Sequence, residues 1–169
     1  MYGTQAALKH MLPRQVGVLA FTYGNGSFLR PASPTGPYGA SKAWMTSFTR
    51  TLAKELKGSG IQVFGFSPGM MWTDMLTTLT VIGDAGQEML KNYGFVLRML
   101  GQPADPPARK FVQMIADLKK EFVEYRVFKP WTPLVGLATI AWENLTGRKV
   151  EPKYIFHTKE PYGGPRTKN

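Results

Sequence analysis

Residues 38–69, YGASKAWMTSFTRTLAKELKGSGIQVFGFSPG, decide the fold, because a helix and a strand follow each other there without a break. Ala40, Trp44, Phe48, Leu52 and Leu56 recur every four positions and predict one helical stripe over residues 38–57. Gly58 and Gly60 follow, as helix C-termini prefer. IQVFGF at 61–66 is β-branched and aromatic, and Ser67, Pro68 and Gly69 close it as a strand. Upstream, VGVLAFTY at 16–23 is a near-continuous apolar run, the pattern of a strand covered on both faces in a parallel sheet. A loop rich in Gly, Ser and Pro separates it from the helix. Strand, helix, strand at this spacing predicts a βαβ unit with a right-handed crossover, and hence an α/β fold.

Outward from that unit, residues 2–12 predict a helix stopped by Pro13, and 76–101 hold scattered apolar residues among glycines. Helical spacing returns at 108–126 through Phe111, Ile115, Leu118 and Phe122, a more apolar helix is expected at 131–145, and a short strand at 153–156. A length of 169 residues with 43% hydrophobic residues fills one ordinary core, which predicts a single domain. Cysteine is absent, removing disulfides, thiolate metal sites and cysteine nucleophiles. His10 and His157 belong to no ligand cluster, so no metal is expected. The N-terminus has Lys9 and His10 inside its apolar run and no signal-peptide pattern, so a cytoplasmic home is expected. Residues 127–145 are broken by Lys129, Pro130, Pro133 and Glu143, too interrupted for a membrane span, although peripheral contact with a membrane surface is a disfavoured alternative. The net charge of +10 gathers partly after Leu145, in Arg148, Lys149, Lys153, Lys159, Arg166 and Lys168. These bases are scattered, which fits a solvated tail better than a nucleic-acid site.

Tyr38 and Lys42, four apart at the start of a helix, project from one face. An ammonium close to a phenol favours the phenolate, and such a phenol exchanges a proton with a carbonyl or alcohol oxygen. The pair follows the loop after a parallel strand, where open α/β sheets bind ligands. Spacing alone is weak, but YGASKA at 38–43, AKEL at 53–56, Gly60 and then IQVFGFSPG resemble the short-chain dehydrogenase/reductase family, in which YxASK opens the fifth helix and a strand ending in PG follows. PGMMWTDM at 68–75 is similar to that family's PG-x-x-x-T segment, and YGTQAALKHMLPR at 2–14 to its fourth helix.

The resemblance implies a Rossmann-type doubly wound parallel sheet, N-terminally truncated, using NAD or NADP. The chain's positive field leans slightly to NADP. Tyr38 would be the acid/base and Lys42 would hold the ribose hydroxyls. Pro68 and Gly69 would turn the backbone close to the nicotinamide, Met71 would replace the usual branched aliphatic residue, and Thr73 would bond the carboxamide. The substrate would be a small carbonyl compound or secondary alcohol. By the same resemblance, 1–75 is the catalytic and nicotinamide-side core of a single partial domain, 76–130 covers the substrate, and 131–169 is a C-terminal helix with a basic tail. Three departures stand out. The glycine-rich pyrophosphate loop has no counterpart, and the relay asparagine would fall before Met1. FTYGNG at 21–26 places Thr22 and Tyr23 at the family's two serine positions, which makes Tyr23 the candidate for the catalytic one, with Ser27 as a substitute. A homo-oligomer or a complementing chain is therefore expected, and the alternative is a non-catalytic remnant acting as an oligomerisation or interaction module.

Overall fold

The computed structural model describes residues 1–29, 35–147 and 153–159. In chain order the elements are α1 (Tyr2–Met11), β1 (Gly17–Thr22), α2 (Gly36–Glu55), β2 (Ile61–Ser67), β3 (Met70–Met71), α3 (Asp74–Thr77), β4 (Thr78–Ile82), α4 (Gly83–Leu100), β5 (Gly101–Gln102), α5 (Asp105–Ala116), β6 (Phe122–Arg126), α6 (Thr132–Thr146) and β7 (Ile155–Lys159). They form two compact units. The first joins Met1–Gly69 to Asp105–Lys129; the second contains Met70–Ala104 and the described residues from Pro130 on. Arg148, Lys149, Arg166 and Lys168 of the expected basic tail lie outside the described residues.

In the first unit β1, β2 and β6 make a parallel sheet in the order β1-β2-β6, with Gly17 opposite Ile61 and Val63 opposite Phe122. The predicted βαβ unit is thus β1-α2-β2. Period-two alternation divides β2 between two layers. Ile61 and Val63 join Leu19, Leu52 and Leu56 in a buried cluster, against which Ala7, Leu8 and Met11 of α1 and Phe122 of β6 pack. Phe64 and Phe66 point the other way and meet Phe111 of α5, at centroid distances of 5.7 and 5.1 Å. Helices therefore cover both faces, and each fully buried aromatic contributes about 1.5–3 kcal/mol.

The α2 stripe differs from the sequence expectation. Its buried residues are Thr46, Thr49 and Leu52, while Trp44 is 50% exposed and stacks on Phe48. A repeat of four gains about 40° per step on a helix of 3.6 residues per turn, so a stripe begun at Ala40 rotates away from the sheet's contact line. The predicted helix over 108–126 also divides. α5 ends at Ala116, Gln62 Nε2 donates to the Leu118 carbonyl at 2.7 Å, and FVEYR becomes β6. Phe122 matches helical spacing by coincidence, whereas Val123 and Tyr125 carry the strand preference.

The second unit pairs β3 with β5 and β4 with β7, both parallel. α4 and α6 are tied by Arg98 and Glu143, 2.7 Å apart with both side chains largely buried. Trp72 Nε1 donates to the Leu97 carbonyl at 3.2 Å. Residues 105–129 fold with the sheet of the first unit, apart from residues 76–104. Among the described residues no helix is long and apolar enough to cross a membrane.

Candidate functional site

Pro37 in the first turn of α2 fixes a helical start that needs no N–H, and Gly39 N donates to the Thr35 carbonyl at 2.8 Å. One turn of that helix separates Tyr38 from Lys42. The Lys42 ammonium lies 5.7 Å from the Tyr38 ring centroid and donates to the Thr22 carbonyl at 3.1 Å, at the C-terminal end of β1. Gly24 closes the group. A Cβ on Gly24 would collide with the Tyr38 hydroxyl and lie 3.1 Å from Lys42 Cε, so a bare α-carbon is what lets phenol, ammonium and loop meet. Tyr38 remains 42% exposed, open to a ligand. The loop is held on the helix by Gly26, whose φ of 93° and close approach to the Gly39 backbone both exclude a side chain.

Pro68 and Gly69 end β2 in this same unit, Pro68 buried and Gly69 exposed with φ 80°. Strand β2 is parallel to β1, so they share the C-terminal end of the sheet with Thr22. Met71 and Thr73 belong to the second unit. Met71 pairs with Gln102 in the β3-β5 ladder. Thr73 precedes α3, where its carbonyl accepts from Leu76 and Thr77, and its own hydroxyl has the Met71 carbonyl at a long 3.5 Å.

The hydroxyls considered for the serine position are engaged within the fold. Tyr23 is 2% exposed and donates to Glu124 Oε1 at 2.8 Å. Its ring crosses β2 over Gly65, where a Cβ would come within 2.5 Å of the phenol. Burial, reinforced by the Glu124 carboxylate, pushes the Tyr23 phenol well above the usual tyrosine range. Ser27 accepts from Gly24 N at 3.0 Å and donates to the Lys42 carbonyl at 3.2 Å. Glu124 also takes a two-pronged ion pair from Arg50, at 2.9 and 2.8 Å. Burial works to raise its carboxyl, but Arg50, Tyr23 and Arg126 together outweigh burial and hold it below the ordinary carboxylate range. Sequence reasoning missed this Tyr23–Glu124–Arg50 network, since its members are up to 101 residues apart. Gly24 carries a weak local signal, a Gly-x-Gly directly after a strand.

A family described as short chain dehydrogenase matches residues 1–81. Over 96 residues the chain is 35% identical to 2,3-dihydro-2,3-dihydroxybenzoate dehydrogenase of Escherichia coli (strain K12), covering 57% of this chain and 38% of that protein. NADPH-dependent aldehyde reductase 1, chloroplastic, of Arabidopsis thaliana is 34% identical over 109 residues, 60% of this chain and 33% of the relative. Glucose and ribitol dehydrogenase homolog 2 of the same plant is 34% identical over 93 residues, 52% and 28% respectively. The matches thus span about a third of the length of these curated relatives. YGASK, SPG and the β1-α2-β2 unit all lie inside the segment, residues 1–81, that matches the short chain dehydrogenase family.

Proposed function

We propose that this chain carries the acid/base and the nicotinamide-ribose side of an NAD(P)-dependent oxidoreductase acting on a carbonyl compound or a secondary alcohol. The observation that carries the reading is the cluster of Tyr38 and Lys42 against the bare α-carbon of Gly24, at the C-terminal end of β1. Tyr38 gives its proton to a carbonyl oxygen, or takes one from an alcohol. The bound cofactor supplies or accepts the hydride. Lys42 spends one N–H on the Thr22 carbonyl, which fixes its ammonium, and offers the others to ribose hydroxyls. The positive φ of exposed Gly69 fits the close passage of a nicotinamide ring. Met71 and Thr73, expected on that side from the resemblance, belong to the second unit and carry no part of this proposal. Tyr23 is given no catalytic role, because its single proton is directed at Glu124.

The test is a titration of the full chain with NADPH and with NADH, followed by nicotinamide fluorescence, and then carbonyl-dependent nicotinamide oxidation over a panel of aldehydes and ketones. Tyr38→Phe is expected to bind cofactor normally and to lose about 10²–10⁴-fold in turnover. Failure of both cofactors to bind at millimolar concentration, or full turnover in Tyr38→Phe, would overturn the proposal.

A second reading, a non-catalytic interaction module, is favoured by the engagement of both Tyr23 and Ser27 and by the edge position of β1 in the described sheet. It predicts that Tyr38→Phe alters nothing and that sedimentation shows a self-associated chain.

A further inference from the structure

Far around α2 from Tyr38 lies a groove of about 460 Å³, within the range of small-ligand sites, that the proposed reaction does not use. Its cations are Arg50 and Lys54 on α2 and Arg126 at the end of β6, and the hydroxyls of Ser47 and Thr51 stand among them. Positions 47, 50, 51 and 54 share one flank of the helix. It lies more than a quarter-turn from the flank that carries Tyr38 and Lys42.

Both arginines are held by the protein itself. Arg50 is fixed through Nε and Nη2 by Glu124, which leaves Nη1 for another acceptor. Glu124 is in turn fixed by the buried Tyr23 hydroxyl, so the guanidinium rests on an interior network. Arg126 lies 3.2 Å from the Phe28 ring centroid, a separation that requires a flat guanidinium and sends its N–H groups sideways. The Lys54 side chain enters no hydrogen bond or ion pair among the described residues. Among the described residues the groove is lined by three cations and no carboxylate, and Glu124, paired to Arg50 from outside the lining, offsets one of them, an excess of two positive charges beside the Ser47 and Thr51 hydroxyls. That balance matches a doubly charged anion, and fixed guanidinium forks suit phosphate oxygens.

We propose that this groove binds a phosphate monoester, independently of the Tyr38 site. The probe is phenyl phosphate, titrated into the full chain while following the melting temperature and the ³¹P line width. Saturable stabilisation beyond that of sodium chloride at equal ionic strength is expected. Lys54→Gln, an exposed change, should weaken binding about threefold, and Lys54→Gln with Arg126→Gln about tenfold or more. Lys42→Ala, which disables the proposed oxidoreductase site, should leave phenyl phosphate binding unchanged, so the two readings fail separately. A shift no larger than that of sodium chloride, undiminished affinity in the folded double variant, or affinity lost in Lys42→Ala would overturn the proposal.

Discussion

Gly24→Ala separates catalysis from folding more sharply than any substitution of the reacting groups. Gly24 is absent from the positive-φ glycines, so alanine meets no backbone penalty there, and its N–H keeps the 3.0 Å bond to Ser27. The new methyl group collides with the Tyr38 hydroxyl and comes to 3.1 and 3.2 Å from Lys42 Cε and Cδ. Relief is available, because Tyr38 is 42% exposed and its ring can swing into solvent. An off-rotamer tyrosine costs about 0.5–1.5 kcal/mol, which bounds the stability change near 1 kcal/mol. The phenol must move by roughly 1 Å or more, and a misplacement of that size costs on the order of 10²-fold in rate. Thermal denaturation, NADPH fluorescence titration and turnover on the best carbonyl of the panel are measured side by side with Tyr38→Phe. The expected variant melts within a few degrees of the parent and loses at least about 10²-fold in turnover. Parental turnover would refute the role given to Tyr38, and a loss of several kcal/mol in stability would refute the geometry by which the ring escapes.

The remaining predictions concern the loop and the buried network. Gly26→Ala forces a side chain onto φ 93° and onto the Gly39 backbone at 2.5 Å, and should cost about 2–4 kcal/mol in urea denaturation. Gly39→Ala, whose Cβ would meet nothing nearer than Gly26 Cα at 3.9 Å, should instead gain up to about 1 kcal/mol of helix propensity; the opposite order would be incompatible with this packing. Glu124, held below the ordinary carboxylate range, lends stability that is complete above the unfolded value of about 4.3 and is lost as pH falls through its lower folded value. Glu124→Gln should therefore cost about 1–2 kcal/mol at neutral pH, modest because Arg50 is half exposed, and the deficit should shrink in acid. Tyr23 has the opposite sign: its raised phenol contributes fully below the ordinary tyrosine value of about 10 and less above it, so Tyr23→Phe should flatten the alkaline limb.

Local signals located the βαβ unit because each of its parts is self-declaring. The strand over 16–23 is a near-continuous apolar run, the helix has Pro37 in its first turn and glycines after it, and IQVFGF is closed by Pro68 and Gly69. The second half is less explicit. FVEYR follows a helix whose apolar spacing runs on to Phe122, and only the parallel partner Val63 to Ser67 decides that the segment is extended. The β4-β7 pairing joins Thr78 to Ile155, across a separation at which sequence pattern says nothing about partners. α4 contains Gly86 and Gly94, which lower helix propensity, yet Gly86 is buried against Val81 and Gly94 lies against Tyr154, so tertiary packing overrides propensity there.

The site shows the same division between local and distant information. The placement of Tyr38, Lys42, Pro68 and Gly69 toward the C-terminal ends of two parallel strands is legible because motif and spacing lie within one supersecondary unit. The fate of the Tyr23 hydroxyl is not, since it is settled by Glu124 on a strand far along the chain. One local mark does point to it. A glycine inside a strand buried on both faces weakens that strand unless another group crosses close to its backbone. Gly65 stands in the middle of IQVFGF, and the group that crosses it is the Tyr23 ring on its way to Glu124. Any side chain at position 65 would turn that ring away, release Glu124 from one of its two donors, and loosen the Arg50 guanidinium at the mouth of the basic groove. The strand glycine thus couples the interior network to the proposed anion site, and Gly65→Ala should weaken phenyl phosphate binding although residue 65 touches no ligand.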